Sequence, residues 1–161
     1  MENRTASVER VTKETKIRMT LNLDGTGKSD IHTGIGFFDH MLDGFARHGL
    51  FDLSVSVDGD LDVDGHHTIE LGTAIREAVG AKQGIRRYGD RILPMDETLV
   101  LSAVDLCGRP YLSFQAEFTR EKVGEMETEM VKEFFYAVSY AAQMNLHIKV
   151  LDGGNNHHII E

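Results

Sequence analysis

His66-His67-Thr68-Ile69-Glu70 is matched near the end of the chain by His157-His158-Ile159-Ile160-Glu161. The two His-His-x-x-Glu motifs use four of the chain's eight histidines. Imidazole and carboxylate at fixed spacing form a donor set for a first-row transition metal. A single copy would be weak evidence, whereas a repeat in so short a chain points to metal binding. On a helix, His66 and Glu70 stand i,i+4 and His67 and Glu70 stand i,i+3, so both pairs share a face. Adjacent histidines diverge by about 100° around the axis. His66 and His67, and likewise His157 and His158, are therefore expected to reach different ions. That predicts two metal sites, each drawing on both motifs, with assembly across subunits as one arrangement.

The repeat extends outward from the motifs. In the first half, Ile17, Met19, Leu21 and Leu23 alternate as a half-buried strand. Asp24-Gly25-Thr26-Gly27 reads as a turn, and residues 29–33 as the second arm of a hairpin. Phe37, Phe38, Met41, Leu42 and Phe45 follow helical spacing, and Gly49 is placed to close that helix. Leu53, Val55 and Val57 make a further strand, which precedes the first motif and a short helix. The second half repeats the order. It has a strand pair around Gly108-Arg109-Pro110, a helix carrying Met130, Phe134, Val138 and Ala141, a strand over residues 145–150, and the second motif. The expected fold is α+β, with two duplicated half-domains at 1–92 and 93–161. Its helices should be sandwiched between, or packed on, two antiparallel-type sheets. The second half is expected to lack its C-terminal helix.

Seventeen Lys and Arg against 26 Asp and Glu leave a net charge of −9. That balance argues against nucleic acid as a partner. No run approaches the ~18 apolar residues of a membrane span, and the polar start has no apolar leader core. No membrane partner and a cytoplasmic location are expected. Cys107, the single cysteine, excludes an internal disulfide and reads as a buried apolar residue.

Other residues are candidates with a plainer alternative beside each. His40 sits mid-helix near the apolar stripe, as a metal ligand or a packed histidine, and Asp39 could orient a ligand histidine. His147 alternates with Leu146 and Ile148 on a strand, as a ligand or a surface residue. His48 suits the C-terminal end of a helix dipole, and His32 reads as structural. Arg86, Arg87, Arg91 and Arg109 could hold an anion against the overall charge, or form a solvated basic turn.

Taken in order, TGIGFFDHML (33–42), ARHG (46–49), DVDGHHTIE (62–70), RRYG (86–89), LPMDE (93–97), DLCGRPYL (105–112), ETEMVKEFF (127–135), LHIK (146–149) and GGNNHHIIE (153–161) resemble the imidazoleglycerol-phosphate dehydratase family. So does the pattern R-x-T-x-E-T at Arg10 to Thr15. The resemblance implies a lyase of histidine biosynthesis that removes water from imidazole glycerol phosphate to give imidazole acetol phosphate. It implies Mn2+ at two sites per subunit, shared between subunits in a 24-subunit shell of trimers. The ligands would be His40, His66, His67, Glu70, His147, His157, His158 and Glu161. Arg87, Arg109 and His48 would hold the substrate phosphate. Glu14, from a neighbouring subunit, would act as acid and base, with His66, Glu70 and His158 beside the reacting atoms. A metal on an imidazole nitrogen favours the imidazolate and eases loss of an otherwise non-acidic hydrogen.

The chain departs from the family pattern at both motifs. Leu71 follows Glu70 directly, where the family carries further residues, and the sequence given stops at Glu161. If these segments were lost from the protein, weak metal binding, a species no larger than a trimer and low turnover would be expected. The competing readings are a binding or assembly module without catalysis and a metal-dependent phosphohydrolase.

Overall fold

The computed structural model describes residues 4–13, 15–59 and 67–161, and the side chains of residues 67–69 lie outside that description. The first repeat comprises β1 (Thr5–Val11), β2 (Thr15–Asn22), β3 (Ser29–His32), α1 (Gly36–Gly49), β4 (Asp52–Gly59) and α2 (His67–Val79). The second comprises β5 (Tyr88–Met95), β6 (Thr98–Asp105), β7 (Tyr111–Gln115), α3 (Glu129–Ala142), β10 (Asn145–Asp152) and α4 (Asn156–Ile160). A small hairpin of β8 (Lys122–Val123) and β9 (Met126–Glu127) precedes α3.

The two sheets have the same topology. Their orders are β1-β2-β4-β3 and β5-β6-β10-β7. In each, three strands run as antiparallel neighbours and the fourth joins parallel, β3 on β4 and β7 on β10. This corrects the two expected hairpins. β3 does not pair with β2, nor β7 with β6. A parallel pair needs a crossover, and α1 and α3 supply one each. The strand after the helix takes the central place because it carries the stronger apolar alternation. Leu53 and Val55 of β4 are buried, as are Leu146 and Ile148 of β10, whereas β3 contributes one apolar residue, Ile31. β1 is a further strand that the polar N-terminal sequence concealed. β5 runs through residues 92 and 93, where the halves were expected to divide, and pairs wholly with the second sheet. Its Pro94 is tolerated because β5 is an edge strand.

Register places apolar residues opposite one another. Met19 faces Val55 and Leu21 faces Leu53 on the β2–β4 pair. Ile17, Leu21 and Val55 are completely or almost completely buried, each contributing about 1.5–3 kcal/mol of transfer free energy. One core includes Met19, Leu21, Leu53 and Val55 of the first sheet, Leu71, Ala74 and Ala78 of α2, Val138 and Ala142 of α3, and Leu146 and Ile148 of β10. The helices are thus the filling between the sheets. α2 contacts β1, β2 and α3, and α3 contacts β7 and β10. α2 and α3 approach closely at Gly72, where a Cβ would lie 2.6 Å from the Val138 carbonyl oxygen and 2.7 Å from the Ala141 methyl.

Helix ends differ from the sequence expectation in one place. Gly49 is the last residue of α1, and Leu50 takes the left-handed cap at φ 56°. Its N–H then satisfies the Arg47 carbonyl. The buried stripe of α3 is also rotated from the expected one. Val131, Val138, Ser139 and Ala142 are buried, and Ser139 Oγ donates to the Tyr136 carbonyl. The direct Glu70–Leu71 step leaves α2 unbroken, with both residues buried.

Candidate metal centre

The second motif sits on α4, whose single turn is fixed at its start. The Asn155 side chain accepts the His157 N–H at 2.9 Å, capping the helix. The next residue, Asn156, is buried and accepts the N–H of Thr119 at 3.2 Å. The helical step then sends the adjacent imidazoles to different neighbours.

His157 turns toward α1. Its Nε2 lies 3.0 Å from Glu161 Oε2, one turn on. His40 Nε2, from α1, stands 3.9 Å from the same oxygen. Ligand atoms of His40, His157 and Glu161 all lie within 4.8 Å of one another. Donors on one ion with bonds of about 2.0–2.2 Å lie at most about 4.4 Å apart, so a small adjustment would let the three share an ion. Phe37 packs edge-on against His157, with ring centroids 5.2 Å apart.

His158 turns instead toward the β5–β6 turn. Its Nδ1 is 2.9 Å from Glu97 Oε2, and its Nε2 is 3.8 Å from Asp96 Oδ2. Glu97 Oε1 accepts the Asn155 N–H at 2.9 Å and the Thr98 hydroxyl at 3.1 Å. The Asn155 N–H first, and the His158 ring second, hold the Glu97 carboxyl down at about 2. Asp96 occupies the left-handed region at φ 48° and is open to solvent.

The first motif is described in part. His66 lies outside the described residues, as does Glu14. His67 opens α2, with its side chain outside the description. Glu70 is 2 % exposed. Its Oε1 takes an ion pair from Arg10 Nη1 at 3.3 Å, whereas Oε2 is buried with no hydrogen-bond partner among the described residues. A buried carboxylate oxygen without a donor is costly, and a cation is one way to satisfy it. Together with the His40, His157 and Glu161 donors, this fits a transition-metal centre.

Other expected site residues stand apart within the single chain. His147 is exposed on β10, faces away from buried Leu146 and Ile148, and packs near the Tyr111 ring. His48 is exposed in the last turn of α1. Arg87 and Arg109 share one neighbourhood, since both draw down the Asp105 carboxyl, with the hydrogen bond from Arg87 the largest cause. Arg87 Nε and Nη2 donate to Asp105 at 2.7 and 3.1 Å, and its guanidinium lies over the Tyr88 ring. Asp39 binds Thr33, accepting its N–H at 2.9 Å and also its hydroxyl, and has no bond to a histidine among the described residues. Cys107 is half-buried rather than buried, because it lies in the turn before Arg109 and not in a strand. Sequence reasoning overlooked Asp96 and Glu97 as neighbours of a motif histidine. Its one local signal was an acidic pair at a tight turn between strands, which by itself reads as solvated.

The family model for imidazoleglycerol-phosphate dehydratase matches residues 33–161. The chain belongs to the imidazoleglycerol-phosphate dehydratase family. It is 64% identical to the imidazoleglycerol-phosphate dehydratase of Lachnoclostridium phytofermentans, over 99% of this chain and 84% of that protein. It is 58% identical to that of Acetivibrio thermocellus over the same shares. The crystal structure of the Staphylococcus aureus dehydratase superposes with a TM-score of 0.84 at 39% identity, covering 97% of this chain and 89% of the other. The Pyrococcus furiosus enzyme, in complex with (S)-C348, gives 0.80 at 34% identity, covering 95% and 84%. As a member of the imidazoleglycerol-phosphate dehydratase family, the chain is a hydro-lyase that dehydrates imidazole glycerol phosphate in histidine biosynthesis. Neither the phosphohydrolase reading nor the binding-module reading is favoured by these likenesses. Among the described residues no helix is long and apolar enough to cross a membrane.

Proposed function

We propose that the dehydration runs in the cytoplasm on a manganese enzyme with two metal sites per subunit, each completed by residues of a neighbouring copy. The observation that carries this reading is the divergence of His157 and His158 toward two separate groups of donors. His40, His157 and Glu161 supply three donors to one site, and His158 supplies an imidazole to the other. His66, His67, Glu70 and His147 are the remaining ligands, brought in from another subunit. His147 is exposed, and Glu70 has an oxygen with no hydrogen-bond partner among the described residues, which is consistent with ligands completed by a second copy or an ion. A homo-oligomer of trimers building to 24 subunits would meet that need, with trimers alone where the sites are incomplete.

When bound, manganese supplies Lewis-acid polarisation of the substrate's imidazole. The protein's own groups do the rest. Glu14 shuttles the proton at the reacting carbon, beside His66, Glu70 and His158. Arg87 keeps Nε and Nη2 on Asp105 and directs Nη1 at the phosphate, joined by Arg109 and His48. Phosphate held at a distance from the reacting carbons orients them for proton removal.

The test is metal content and dehydration rate in chelator-stripped protein and after manganese is restored. Stripped protein should be inactive and recover on addition. His157→Asn and His158→Asn should each lose one of two ions per subunit by elemental analysis. Full activity without metal, or one variant losing both ions while the other loses none, would refute the two-site reading.

A further inference from the structure

His158 has two ring nitrogens, and what lies against Nδ1 decides what Nε2 offers. A carboxylate accepts and never donates while ionised. Glu97 Oε2 lies 2.9 Å from Nδ1, so Nδ1 carries the proton and Nε2 is left with its lone pair. Glu97 is itself held. Its Oε1 takes the Asn155 N–H and the Thr98 hydroxyl. Both oxygens therefore have donors already, although the side chain is 48% exposed, against 82% for Asp96 beside it. Asn155 is also the residue that caps α4. One carboxylate thus connects the β5–β6 turn, the start of the helix bearing the motif, and one of its imidazoles.

We propose that Glu97 is a positioning residue that selects the Nδ1–H tautomer of His158 and presents a bare Nε2 for coordination. This rests on the reading of His158 as a metal ligand, and it adds a residue outside the two His-His-x-x-Glu motifs to the site. The role is geometric. The His158 ring is half-buried and cannot choose its tautomer through water alone once Glu97 occupies Nδ1. A carboxylate behind a ligand histidine generally raises the metal affinity of that site 10- to 100-fold.

Glu97→Gln separates this role from mere support. The Gln carbonyl must stay toward Asn155, because the reverse orientation would set its NH2 against the Asn155 backbone N–H, which can only donate. Its NH2 then faces Nδ1 and donates to it. The tautomer inverts, Nε2 becomes N–H, and the shape of the site is retained. The measurement is magic-angle-spinning NMR of sedimented metal-free protein labelled with 15N-histidine, at pH about 8.5, well above the usual imidazole value. The His158 signals are identified by their loss in His158→Gln. Wild type should show Nδ1 protonated and Nε2 bare, with the pattern reversed in Glu97→Gln. Manganese titration followed by EPR should show one site weakened 10- to 100-fold in the variant and the other unchanged. A protonated Nε2 in wild type overturns the proposal, as does an unaltered tautomer in Glu97→Gln. The wild-type spectrum decides even if the variant does not fold. If the tautomer switches as expected but wild type binds no manganese, Glu97 keeps its positioning role and the metal reading of the previous section is what fails.

Discussion

Gly72→Ala should destabilise the protein, whereas the same change at Gly44 should stabilise it. Both glycines are helical, Gly72 in α2 and Gly44 in α1. Replacing an interior helical glycine by alanine gains about 0.8–1.0 kcal/mol from backbone entropy. At Gly44 the new methyl meets nothing within 4 Å among the described residues, so that gain is realised. At Gly72 it would sit 2.6 Å from the Val138 oxygen, 2.7 Å from the Ala141 Cβ and 3.0 Å from the Ala142 nitrogen. These are backbone and Cβ atoms of α3, which cannot turn away as a side-chain tip can. Relief requires the helices to separate, and overpacking of that kind costs about 1–3 kcal/mol. Taking the upper end for two contacts under 3.0 Å, the net effect at Gly72 is a loss of about 2 kcal/mol. At about 2–4 °C per kcal/mol for a chain of this size, that lowers the melting midpoint by about 4–8 °C. Gly44→Ala should raise it by about 2–4 °C. Thermal and urea unfolding by circular dichroism would be run in chelator at one chain concentration, because metal and assembly shift stability by mass action. Gly72→Ala should also weaken manganese binding, since α2 carries Glu70 two residues earlier. If Gly72→Ala equals or exceeds wild type in stability, the close α2–α3 contact is refuted.

Three further outcomes follow from the same structure. Arg10→Met leaves the buried Glu70 carboxylate without its ion pair and should lower metal-free stability by about 1–3 kcal/mol, discounted for the partial exposure of Arg10, with most of the loss absent in a Glu70→Gln background; a double-mutant cycle by urea unfolding measures it. Asp24 is held at about 2, below its usual 3.8, chiefly by the Arg4 side chain and then by the Arg4 N–H, so its stabilisation is present above pH 3.8 and lost as pH falls through about 2. The stability difference between wild type and Asp24→Asn should therefore shrink between pH 4 and pH 2, and a constant difference would contradict the pairing. Leu50→Gly should raise stability by about 0.5–1 kcal/mol, the relief of a left-handed non-glycine offset by glycine's unfolded-state entropy, measured by the same unfolding curves.

Local periodicity was sufficient for half of the described elements, because side-chain burial on one strand or helix face leaves a pattern that needs no partner to be read. The strands β2, β4, β6 and β10 and the helices α1, α2 and α3 were legible in that way, as was the duplication, which the two identical topologies reproduce. Strand pairing was not legible. An alternating strand declares which face is apolar but not which neighbour completes its hydrogen bonds, and a turn signal between β2 and β3 does not reveal that β4 will insert between them. β1 was hidden because edge strands half-exposed to water need few apolar residues. The divergence of His157 and His158 followed from the helical step alone. That His40 meets His157 and Glu161, and that Glu97 stands behind His158, was set by tertiary packing, because these contacts join residues separated by most or much of the chain. Sequence determined the types of the candidate donor groups, the repeat and the family through residue types at fixed local spacing. Only the fold decided which side chains meet, since it is the crossover of each helix between strands that brings distant residues to the same place.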